Sequence, residues 1–133
     1  MKVVDTNVIA YLVIPGEQTA VARALLLSDA EWVAPPLWRS EFLNVLALYI
    51  HKRLISLEEA EAYAAEAEHF MHGRVQNVQA ASVLKLAAES RCSAYDCEFI
   101  ALAKKLNTRL VTNDRPLIKA FPEETVPLDT FLS

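Results

Sequence analysis

Glycine is nearly absent: the 133 residues contain two. A chain so poor in the residue that loosens the backbone is no linker or low-complexity segment. With 53% hydrophobic residues it reads as a compact, helix-rich globule. Cysteine is equally scarce. Cys92 and Cys97 stand alone, at a spacing that fits no zinc pattern, and are expected as buried or half-buried thiols in a reducing compartment. Histidine supplies no alternative. His69 and His72 form an H-x-x-H pair at a helix end without a third ligand, and His51 stands apart. Positive charge is not in excess either. The net charge is −4, whereas a protein that held nucleic acid by charge alone would be basic. Any nucleic-acid role therefore needs local cations or bound metal. The longest apolar stretch is interrupted by Arg39, Glu41 and Asn44, which excludes a membrane span. No basic head followed by an apolar core and a cleavage site opens the chain. The expectation is one cytoplasmic domain, residues 1–133.

What is present is an alternation of short strands and helices. Lys2 to Asp5 is an apolar run with a polar stop, as in a buried parallel strand. Asn7–Val13 reads as a helix ended by Pro15-Gly16. Glu17–Ser28 reads as another, with Val21, Leu25 and Ser28 in one row and Ala24 and Leu27 beside it. "EWVAPP" is a brief strand whose Pro36 suits the first turn of the next helix. That helix, Leu37–His51, is apolar almost all round. It is expected to be covered on more than one side, partly by another chain, with Trp38 and Tyr49 as contact anchors or plain core. Ser56 and Glu59 form a capping box for a helix running to about Phe70. "GRVQNV" fits a short strand or a loop. Helices follow over Ala80–Ser90 and from Ser93 through Asn107, then a strand at Arg109–Thr112, a helical turn at Pro116–Ala120 and an edge strand in "TVPL". This order predicts an α/β fold with a central parallel sheet and helices on its faces. Sites in such sheets form beyond the carboxyl ends of the strands, where Asp5 and Asp114 fall.

Four acids occupy positions that solvated surface residues do not explain. Asp5 lies between a strand and a helix, and Asp114 just before Arg115-Pro116. Either is a helix cap or turn residue when taken alone. Asp96 follows Ser93 at capping-box spacing, yet aspartate is too short to be a good reciprocal cap, and it borders the core face of its helix. Glu41 is ringed on its helix by Leu37, Trp38, Asn44, Val45 and Leu48. A buried lone carboxylate costs several kcal/mol or gives up its charge, so Glu41 needs a distant Lys or Arg or some other compensation. If all four converge, like charges about 4 Å apart repel by roughly 4 kcal/mol at an effective dielectric near 20. Protons or hard divalent cations relieve that repulsion, and Mg²⁺ or Mn²⁺ suits an oxygen-only set. A carboxylate-held Mg²⁺ with open positions serves phosphodiester hydrolysis, and it bridges an acidic protein to an acidic substrate. Arg39 and Arg115 are candidate contacts to flanking phosphates. Two other readings stay open. In one, Asp5 is the nucleophile of a phosphohydrolase or phosphotransferase, which requires a lysine after a strand; in the other, the domain is catalytically silent and only binds RNA or protein.

The blocks "VVDTNVIAYL", "SEFLNVL" and "SAYDCEFIALAKKLNTRLVTND" together resemble PIN-domain proteins of the VapC toxin type, over nearly the whole chain. The resemblance implies a three-layer α/β/α sandwich with a central parallel sheet of four or five short strands. It implies a metal-dependent endoribonuclease whose acidic positions match Asp5, Glu41, Asp96 and Asp114, with Asp5, Asp96 and Asp114 as the Mg²⁺ ligands (Mn²⁺ being possible). Asn7 and Thr112 match supporting positions. It also implies a VapB-type antitoxin that blocks the site, and a homodimer. One departure concerns a fifth acid that many relatives carry near the last one. Here Asn113 and Leu117 stand nearby, and Glu98 faces another side of its helix from Asp96, so the number of metal ions stays open.

Overall fold

A computed structural model describes residues 1–132. Its centre is β1 (Lys2–Val4), whose Val3 and Val4 are both fully buried. A strand covered on both faces has no use for alternating polarity, which is why this segment reads as a continuous apolar run. β2 (Trp32–Val33) and β3 (Leu110–Thr112) pair with β1 on either side, and β4 (Thr125–Pro127) pairs with β3. All three pairings are parallel, in the order β2-β1-β3-β4.

From β1 the chain reaches β2 through α1 (Thr6–Val13) and α2 (Thr19–Ser28). It returns to β3, on the opposite side of β1, through α3 (Leu37–His51), α4 (Leu57–Met71), α5 (Ala80–Glu89) and α6 (Ala94–Lys105). A short α7 (Arg115–Ala120) then leads to β4, and a 3-10 turn spans Leu128–Phe131. Among the described residues, helices flank the sheet in an α/β/α arrangement. The chain departs from β1 in both directions, so a crevice opens where the carboxyl ends of β1 and β3 lie side by side.

One core holds the layers together. α1 contributes Val8, Ile9 and Val13, and α6 contributes Phe99, Ile100, Leu102 and Ala103. Trp32 is fully buried, and its ring N–H donates to the Asp29 carbonyl at 2.9 Å while Phe70 meets it edge-on, centroids 5.4 Å apart. Arg74 lies over the other ring, 4.6 Å from the Phe70 centroid, and donates to the Ala30 and Phe70 carbonyls. Among the described residues no buried side-chain polar atom lacks a hydrogen-bond partner. The capping box at α4 is complete: Glu59 N–H donates to Ser56 Oγ, and Ser56 N–H to Glu59 Oε1, each at 3.0 Å.

Some sequence expectations are corrected here, and alternatives left open are decided. The second helix begins at Thr19, because Thr19 Oγ1 accepts from Gly16 N–H at 2.9 Å and closes a turn where residues 17 and 18 were expected to be helical. Leu27, expected beside the buried row, is 90% exposed. "GRVQNV" is mostly loop, with a single bridge between Val75 and Ala34. The apolar α3 fully buries one face, that of Trp38, Phe42 and Leu46, while Leu37, Leu43, Val45 and Ile50 are half-buried and Leu48 is exposed. Trp38 is core. Gly73 holds φ of 76° just beyond α4, a left-handed position that disfavours a Cβ, and so accounts for one of the two glycines.

Leu102 and Leu27 separate burial from mere hydrophobicity. Leu102→Ala is expected to lower the unfolding free energy by about 2–5 kcal/mol, whereas Leu27→Ala should change it by less than about 0.5 kcal/mol. Urea titration of both variants checks the pair; similar losses would contradict the burial described here.

Candidate active site

Asp5 follows β1 and stands at the N-cap position of α1, yet its side chain makes no capping hydrogen bond. Its Oδ2 instead accepts from Thr112 Oγ1 at 2.6 Å, across the β1–β3 boundary. The same Thr112 oxygen accepts from the Asp114 N–H at 3.0 Å. One fully buried hydroxyl therefore ties both acids to the sheet. Asp114 is a true helix cap: its Oδ1 accepts from Leu117 N–H at 3.1 Å, which leaves its second oxygen free of that role. At Asp96 the cap is half built. Ser93 Oγ accepts from Asp96 N–H at 3.1 Å, but the shorter carboxylate does not close the reciprocal bond as Glu59 does at α4. Glu41 has no cationic partner among the described residues; its Oε1 accepts from the buried Thr6 hydroxyl at 2.7 Å.

Asp5, Glu41, Asp96 and Asp114 all line one cleft of about 400 Å³ at the carboxyl edge of β1 and β3. Asn7, Ser40, Asn44 and Tyr95 complete its polar wall. No lysine or arginine lines it, and no ion pair reaches any of the four acids among the described residues. The electrostatic result is proton affinity above the ordinary range. Burial pushes the Asp5 carboxyl up, and repulsion from Asp114 adds to it, while the Thr112 hydroxyl and the nearby amides of Asn7 and Thr6 pull the other way. Burial likewise raises Glu41, against the pull of the Thr6 hydroxyl, with Asp5, Asp96 and Glu98 adding repulsion. Asp96 is raised by burial, then by Asp114 and Asp5.

The supporting residues fall differently from the expectation. Thr112 holds Asp5 as well as the backbone of Asp114. The Asn7 side chain, exposed, makes no hydrogen bond to Asp5, and only its backbone amide bears on that acid. Thr6 was not singled out in the sequence, because it reads there as an ordinary helix-start residue; its partner Glu41 lies 35 positions away. Glu98 does face another side of α6 than Asp96, yet it lies near enough to Glu41 to raise its proton affinity. Arg39 does not serve the cleft. Its Nε pairs with Glu68 Oε1 at 2.8 Å, in a groove beside Trp38 and Met71. Arg115 lines an adjoining groove.

An oxygen-only set carrying uncompensated negative charge fits a hard divalent cation and no soft one. Among the described residues no three His, Cys, Asp or Glu side chains stand together closely enough to hold a metal ion. The four acids line the cleft without closing on a common point.

The PIN-domain family model matches residues 2–121. Ribonuclease VapC3 of Pyrobaculum aerophilum is 32% identical over 130 residues, covering 94% of this chain and 98% of that protein. The crystal structure of FitAcB from Neisseria gonorrhoeae superposes with a TM-score of 0.75 at 18% identity, over 96% of this chain and 98% of that one. The crystal structure of PAE2754 from Pyrobaculum aerophilum gives 0.72 at 20% identity, over 97% and 91%. These two superpositions show that the fold described above is shared. Over all but its last dozen residues, this chain belongs to the PIN-domain family.

Proposed function

We propose that this protein is a VapC-type endoribonuclease that hydrolyses RNA phosphodiester bonds with Mg²⁺ or Mn²⁺. The observation that carries this reading is a cleft lined by four carboxylates from the end of β1, α3, α6 and the cap of α7, with no lysine or arginine among the described residues paired to them. The family membership and the ribonuclease name of a 32% identical relative support it.

Asp5, Asp96 and Asp114 would hold the metal. When bound, such an ion supplies charge neutralisation for the phosphodiester and a lowered pKa for water. Thr112 fixes the Asp5 carboxylate and the backbone of Asp114 at once, so the two acids keep their separation during turnover. Glu41, raised in proton affinity and held at one oxygen by Thr6, keeps its other oxygen to take a proton from the attacking water. Ser40 and Asn44, one helical turn along α3, are placed to donate to the substrate. A phosphohydrolase with Asp5 as nucleophile is disfavoured, since no lysine among the described residues lines the cleft. In line with the VapC type, a VapB-type antitoxin and a second copy of the chain are the proposed partners, with the half-exposed apolar face of α3 as a candidate surface. The proposed setting is the cytoplasm; no helix among the described residues is long and apolar enough to cross a membrane.

Purified protein incubated with structured RNA is expected to cleave with Mg²⁺ or Mn²⁺ and to stop in EDTA. Asp96→Asn and Glu41→Gln should each lose about 10²-fold or more in rate. Cleavage that persists in EDTA, or in Asp96→Asn, refutes the assignment.

Stability should move the opposite way. Asp5, Glu41 and Asp96 have folded proton affinities above the ordinary 3.8 and 4.5. Their favourable contribution is complete below those ordinary values and is lost as pH rises through the raised ones. In EDTA, Asp96→Asn is therefore expected to become progressively more stable than the wild type between about pH 4 and pH 7. Mg²⁺ added at pH 7 should narrow that gap. Urea titrations across pH measure it, and a gap independent of pH counts against mutual destabilisation of the acids.

A further inference from the structure

Beside the acidic cleft lies a second groove of about 440 Å³, lined by Asn113, Arg115, Ile118, Lys119, Pro127 and Asp129. The two cavities are lined by consecutive residues of the chain. Asp114 faces the cleft, while its chain neighbours Asn113 and Arg115 face the groove. Consecutive Cα atoms lie about 3.8 Å apart, so a polymer leaving the cleft over Asp114 enters this groove directly.

Its charge is opposite to that of the cleft. Arg115 and Lys119 stand four positions apart on α7 and project to one side. Both are exposed, and neither has a carboxylate partner among the described residues. The one acid in the groove, Asp129, accepts from the Asn113 side-chain amide at 3.4 Å. Lys85, Lys104 and Lys105 form another basic groove between α5 and α6, but none of its lining residues is a chain neighbour of a residue lining the cleft.

We propose that the groove of Arg115 and Lys119 is a phosphate-binding subsite, which takes backbone phosphodiesters of the RNA flanking the bond to be cut. The inference rests on the ribonuclease reading. The cleft repels a polyanion wherever bound metal does not neutralise it, and these two cations stand beside it without the carboxylate partner that occupies Arg39. They bind without touching the reacting atoms, so they govern affinity and leave the chemical step alone.

The test uses a 5′-fluorescein oligoribonucleotide and anisotropy in Mg²⁺, in an Asp96→Asn background that prevents cleavage. Arg115→Gln with Lys119→Gln should weaken binding about tenfold at low salt. The slope of log affinity against log salt should flatten by about 1.4, since each single-strand phosphate contact contributes about 0.7. Lys85→Gln with Lys104→Gln removes the same charge from the remote groove and should leave the slope unchanged. In the cleavage-competent protein, the first pair should raise KM with kcat unchanged, and Arg115→Lys should restore most of the affinity. Equal effects from both pairs would mean a net-charge effect only and overturn the subsite. So would unchanged binding by the first pair while the wild type still binds and cleaves, which leaves the ribonuclease reading standing. An unmodified protein that neither binds nor cleaves RNA removes both.

Discussion

The Thr112 hydroxyl is the point on which the site depends. It donates to Asp5 at 2.6 Å and accepts from the Asp114 amide at 3.0 Å, and it is fully buried. Its position follows from the parallel register of β1 and β3, which sets Val4 opposite Val111. That register makes both strands end at the same height. The next residues in each chain then turn away into helices and leave their carboxylates at the crevice. A slip of one residue would turn every side chain of β3 to the other face and break the bond. The precision of the acidic cleft is thus inherited from strand pairing, and the loops only display it.

α3 and α6 bring the remaining acids, and they do so by different means. Asp96 rides on the first turn of a helix whose far end is packed into the core by Ile100, Leu102 and Ala103. Glu41 sits one turn inside α3, between the buried Trp38 and Phe42 row and the solvent. The Thr6 hydroxyl draws its carboxylate toward the start of α1. Every acid in the cleft has at least one hydrogen bond to its side chain or backbone, yet among the described residues none has a positive partner. Hydrogen bonds orient the charges without neutralising them. Such an arrangement is ordered and electrostatically costly at once.

Much of the architecture was readable in the chain because it is local. Apolar runs marked β1 and β3, and the Ser56 and Ser93 starts marked α4 and α6. The four acids drew attention as residues with poor local reasons to be where they are, and they line one cleft. What escaped the reading depends on distant approach. Thr6 meets Glu41 only after α1 and α3 pack together, and Glu98 comes near Glu41 only once α6 lies against the sheet. Arg39 looked well placed for phosphate, but the neighbouring α4 presents Glu68 to it. Leu27 matched the helical period and still faces solvent, because α2 buries only the row of Val21, Ala22 and Leu25.

The sheet also bears on how copies of this chain can meet. Its two outer strands are very short: β2 spans Trp32–Val33 and β4 spans Thr125–Pro127, the latter ending on a residue without an amide hydrogen. Edges of that length offer almost no ladder for another strand to join, which protects the monomer against sheet-to-sheet polymerisation. Association in any productive sense is left to the helical exterior.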